Sequence, residues 1–150
     1  MSWKRTDPAQ RFSFPARPSL TASFVDVIES ALPRDLQSSA VRLGLVEVLT
    51  IAIIHGALEI RVDRSLDLAT YLEEITLREH AVGRLRSVNV TVEVRARSAT
   101  VSIEDGSEFI ELRDQSWEAR RGLRFVRPLF NTIRSELGGH RIVLEIGAPS

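Results

Sequence analysis

The segment Leu43 to Ile60, LGLVEVLTIAIIHGALEI, constrains this chain more than any other. Between Leu43 and Leu58 the only polar side chains are Glu47, Thr50 and His55. A helix here is apolar nearly all round and belongs inside a core. Glu47 on such a helix is expected to be buried and either hydrogen-bonded or lining a cavity, because an unpaired buried carboxylate is penalised until it neutralises. The helix should start at an N-cap on Ser38 or Ser39 and stop around Gly56.

The flanking sequence supplies the rest of the layer. Phe12 and Phe14, two apart before Pro15 and Pro18, suit a short edge strand ending in a turn. Leu20, Phe24, Val27, Ile28 and Ala31 recur at three and four, which predicts a first helix over 19–31 that Pro33 ends. Leu68, Leu72, Ile75, Val82 and Leu85 predict a third helix within 66–85. The period then falls to two: Val88, Val90, Val92 and Val94 alternate with polar residues, and Ala99, Val101 and Ile103 resume after a turn at Arg97-Ser98. Helical spacing returns over 122–133, and Gly138-Gly139 leads into a last strand, 140–146, with Ile142, Leu144 and Ile146 on one face. The sum is an α+β two-layer sandwich, a mixed, mainly antiparallel sheet with helices on one face. Residues 1–10 are expected to be a loose tail and 11–150 a single domain.

A chain of 150 residues can bury enough surface to fold without disulfides, and it has no cysteine. Lys plus Arg equals Asp plus Glu at 20 each, which argues against a general nucleic-acid or anionic-membrane surface. No apolar run approaches the ~20 residues of a membrane span, and MSWKRTDPAQ lacks the apolar core of a secretory signal. The expected location is the cytoplasm. His55, His80 and His140 have no second His or Cys at ligand spacing, so no metal site is expected. His55 is expected to end the buried helix, and His80 and His140 receive no role.

Four pieces of the sequence resemble the GHKL, or histidine-kinase-like, ATPase superfamily, specifically the single-domain anti-sigma-factor serine kinases and related ATPase modules of response-regulator proteins. They are FPARPSL, the pattern E-x-x-x-x-x-x-x-H-G-x-L-E-I from Glu47 to Ile60, the hairpin ending Ile103-Glu104-Asp105-Gly106, and RGLRFVRPLFNTIRSELGGHRIVLEI. Their order and spacing cover most of residues 11–146. The resemblance implies a nucleotide-binding fold in which Glu47 takes the place of the general base. Ile51 takes that of an Asn that helps hold magnesium, and isoleucine offers a hard cation no oxygen. Ala57 replaces an Asn often present after the His-Gly pair. Asp105 takes the place of the adenine acceptor, and strand parity turns it inward with Val101 and Ile103. Of the glycines that should follow, either Ser107 and Phe109 stand in their places, or one residue is missing and Gly106 and Glu108 do. Where the family has G-x-G-L, this chain has Arg120-Arg121-Gly122-Leu123, retaining Gly122. The segment 110–119, with Trp117, is short for the family's lid.

Arg120, Arg124 and Arg127 fall at helical spacing with Arg121 and Arg113 nearby, a set suited to phosphate or to an acidic partner, or simply to a solvated face. The resemblance, with its motifs damaged in three places, implies a degenerate anti-sigma-kinase-like module of bacterial signalling that binds a protein partner without hydrolysing ATP. Expected partners are a sigma factor, an antagonist domain, or a receiver or phosphatase domain, with homodimerisation implied by the kinases. No cofactor is expected. The alternative is an active, divergent ATP-dependent serine kinase using Glu47, Asp105, ATP and magnesium.

Overall fold

The computed structural model describes residues 9–60, 67–105, 126–137 and 140–147. The period-two stretches form strands β1 (Gln10–Pro15), β2 (Ser87–Val94), β3 (Ser98–Glu104) and β5 (Arg141–Gly147), joined by β4 (Thr132–Glu136). They make one sheet in the order β1-β2-β3-β5-β4, and every pairing is antiparallel. Register aligns the apolar positions: Val90 stands between Phe12 and Ile103, and Val101 between Val92 and Leu144. These residues line the inner face. The outer face carries Asn89, Thr91, Glu93, Thr100, Ser102 and a charged ladder in which Arg141 reaches Glu104 at 3.5 Å and Glu136 at 3.6 Å. Part-exposed pairs of this kind contribute little, and the helices pack on the other face.

Helix α1 (Thr21–Ser30) buries Phe24, Val25 and Ile28, and Phe24 stacks on Phe14 of β1 with centroids 4.6 Å apart. Helix α2 (Ser39–Ile51) starts where the Ser38 side chain accepts the Val41 N–H at 3.1 Å, as the sequence predicts. It runs on as a π-helical segment, Ala52–Ala57. The combined 19 residues, Ser39–Ala57, are long and apolar enough to cross a membrane, which corrects the expectation that no run approaches that length. Most of this segment is instead buried in the protein's core, including Leu45, Val48, Leu49 and Ile53. Arg42 of α2 joins α1 through Asp26 at 2.7 Å.

Helix α3 (Leu68–Val82) is shorter than its apolar spacing predicts. Asp67 caps it by accepting the Thr70 N–H at 2.7 Å, and that hydrogen bond holds its carboxyl below the usual range. Tyr71, Ile75 and Val82 pack partly against the core, yet α3 has no buried residue and Leu68 and Leu85 are 71% and 84% exposed. The helix lies at the rim and is tied there by polar bonds: the Ser19 N–H and hydroxyl donate to Glu79 Oε1 at 3.1 and 2.8 Å, and Arg78 Nε donates to the Leu58 carbonyl at 3.2 Å.

The helix expected over 122–133 is also corrected. Residues 122–125 lie outside the described residues, Arg127–Leu129 is a 3-10 turn, and Ile133 belongs to β4. Pro128 cannot donate to a continuing helix, while β-branched Thr132 and Ile133 fit the pleat and pair with Glu145 and Leu144.

Leu49→Ala, which hollows the core under α2, is expected to lower the unfolding free energy in urea by about 2–5 kcal/mol, whereas Leu85→Ala should change it by less than about 0.5 kcal/mol. Asp67→Ala should lower the melting temperature at neutral pH. Because the folded carboxyl titrates lower than the unfolded one, the cap's contribution is present above the unfolded value of ~3.9 and disappears as pH falls through the folded one. The melting difference between variant and parent should therefore shrink in acid.

Candidate functional site

Of the described site residues, Asp105 lies where the π-helical continuation of α2 meets the end of β3. A π turn widens the helix and is frequent at functional sites. Here it carries His55 and Gly56, and Gly56 faces Asp105, the residue that follows β3. The approach is close: a Cβ at Gly56 would stand 2.4 Å from Asp105 Oδ2 and 2.5 Å from its Cβ. Only a residue without a side chain lets the carboxylate lie on the helix there. Asp105 is 3% exposed, so the inward parity read from Val101 and Ile103 holds.

His140 provides the described polar partner. Its Nδ1 lies 3.1 Å from Asp105 Oδ1, and its carbonyl accepts the Asp105 N–H at 3.0 Å. The two residues are thus joined through side chain and backbone. Sequence reasoning gave His140 no role. It lies 35 residues from Asp105 in the chain, and the β3–β5 register, which continues from Glu104 opposite Arg141, creates the contact.

The end of the helix is closed by charge. Arg86 Nη1 donates to the Ala57 carbonyl at 2.9 Å and lies 3.5 Å from Glu59, while Arg78 takes the Leu58 carbonyl. Cations suit the negative end of the helix dipole. Glu59 adopts φ 56°, in the left-handed region, and the Ile60 N–H returns to the Ile54 carbonyl at 3.0 Å. His55 Nδ1 meets the Ile60 carbonyl in this same turn, so His55 ends the buried helix as expected.

Glu47 contradicts the reading of the sequence: its side chain is exposed. The first turns of α2 leave a strip open to solvent, on which Leu43 is also exposed and Val46 and Thr50 are half-buried. An almost wholly apolar helix can keep one polar position outside without cost. Ile51, one turn further on, is 7% exposed and part of the core. It shares a stripe with Gly44 and Val48, and Phe130 packs so closely over Gly44 that a Cβ there would come within 2.4 Å of the ring.

These positions do not fit a magnesium nucleotide. The place the resemblance assigns to a metal-holding amide is an enclosed isoleucine with no oxygen, and the carboxylate four residues earlier points to solvent. Among the described residues no three His, Asp or Glu side chains gather around a common point suited to an ion. Gly106, Trp117, Arg120, Arg121, Gly122 and Arg124 lie outside the described residues. Arg127 is described: it is exposed and, with Pro128, Asn131, Thr132 and Ile133, lines an open cleft of about 460 Å³ beside β4. That cleft is separate from the Asp105 seat.

Compared with models of known protein families and with curated proteins, the chain has no match.

Gly56→Ala tests the seat because two effects compete. Alanine favours a helix by ~1 kcal/mol over glycine, but here its Cβ overlaps the carboxylate, and overpacking typically costs about 1–3 kcal/mol. The net expectation is destabilisation in urea unfolding. A stabilised variant would show that Asp105 does not rest on the helix.

Proposed function

We propose that this chain is a regulatory module of the histidine-kinase-like ATPase type that acts in the cytoplasm by binding a protein partner and does not hydrolyse ATP. The observation that carries the reading is the state of Ile51. The position that would help neutralise phosphate charge is apolar and enclosed in the core. A second feature agrees with it: Asp105, assigned by resemblance to the adenine amine, is already engaged by His140 and seated on Gly56. A fold that keeps its sheet and helices while Ile51 and Asp105 are taken up inside it keeps its outer surfaces available for docking. The partner classes in keeping with this are a sigma factor, a small antagonist domain, or a receiver or phosphatase domain.

Ile51→Asn separates this reading from that of an active serine kinase. Calorimetric titration of the full-length variant with ATP and magnesium is expected to give no binding heat even at millimolar nucleotide, because one restored amide does not rebuild the site around an exposed Glu47 and an engaged Asp105. Micromolar, magnesium-dependent binding after this one change would overturn the proposal.

A further inference from the structure

Buried carboxylates need a compensating donor, and Asp105 has His140 as one. An ionised carboxylate can only accept, so with Asp105 ionised the imidazole Nδ1 that faces it at 3.1 Å is the donor, as a neutral ring protonated there or as an imidazolium. His140 is itself largely enclosed, with a side chain 18% exposed, against 4% for Asp105. Low local polarity strengthens the attraction between a carboxylate and an imidazolium at this distance. The same pair bridges two elements, since the Asp105 N–H donates to the His140 carbonyl and Asp105 lies against Gly56.

Other charged groups described on the neighbouring elements have these contacts. From β3, Glu104 lies on the outer face and meets Arg141 at 3.5 Å; from β4, Glu136 meets the same arginine at 3.6 Å. From the π segment, the Nδ1 of His55 is taken by the Ile60 carbonyl, and Gly56 brings no charge.

We propose that Asp105 and His140 form a proton-linked clasp: with His140 protonated, the ion pair fastens the end of β3 to the residue preceding β5 and holds Asp105 on Gly56, and loss of that proton loosens the seat. Histidine is suited to this because its ordinary titration lies near pH ~6.5. The carboxylate favours the charged imidazole, so the folded protein keeps the proton to higher pH than the unfolded chain. The clasp's contribution is therefore complete below ~6.5 and is lost as pH rises through the folded midpoint. This stands on the geometry of the pair and is independent of whether the chain binds nucleotide or a partner.

The test is an NMR titration of His140 in the full chain, parent against variant. Asp105→Asn should bring the His140 midpoint down by at least about one pH unit. Equal His140 midpoints in parent and variant would overturn the clasp. If Asp105→Asn does not fold, His140→Gln supplies a second reading: urea unfolding of the parent should weaken as pH rises from about 6 to 8, while the glutamine variant, which cannot gain a proton, should show a flatter dependence. Identical pH dependence in the two proteins would also overturn it.

Discussion

The structure depends on burying the long apolar helix 39–57 against the inner face of the sheet. Leu45, Leu49, Ile53 and Leu58 are fully enclosed, as are Val88, Val90, Val101, Ile142 and Leu144 opposite them in the core. Apolar burial of this kind supplies most of the driving force for folding, at roughly 25 cal/mol per Å² removed from water. It creates one difficulty, because a helix that ends inside a protein leaves carbonyls without partners. The chain resolves this at one end of the helix with the Leu58 and Ile60 N–H groups, which return to Ile53 and Ile54, and with the side chains of Arg86 and Arg78. The arginines come from α3 and the loop after it, so the rim helix contributes through hydrogen bonds more than through apolar contact.

The site follows from the same packing. Because the π turn brings Gly56 against the end of β3, the residue after that strand must tuck its side chain between helix and sheet. In this chain that residue is aspartate, which cannot be buried alone, and the β3–β5 register delivers His140 to it. The result is a closed, internally satisfied carboxylate. The closed seat and the enclosed Ile51 point the same way: both Asp105 and Ile51 are committed to holding the protein together.

Periodicity in the sequence revealed the layers because one face of each element is buried. Alternating valines placed β2 and β3, and the Ser38 cap and apolar run placed α2. Asp105 was legible through strand parity alone. Other features depended on which elements become neighbours. Glu47 was read as buried because its surroundings in sequence are apolar, yet a helix needs only a narrow open strip to leave one side chain in water. The leucines of α3 have core-like spacing but lie on a rim helix whose attachment is largely polar. Helical spacing over 122–133 ran through Ile133 and hid β4, whose identity comes from pairing with β5. His140 carries no local signal, since its partner is distant in the chain.

The most direct test of the proposal that this chain does not bind ATP is the melting temperature of the unmodified chain across a series of ATP concentrations with and without magnesium. A ligand bound only by the native state stabilises it by ~2.7 kcal/mol at a hundredfold excess over its Kd. The account predicts no rise at millimolar ATP under either condition. A melting temperature that climbs with ATP, and climbs further with magnesium, would contradict it.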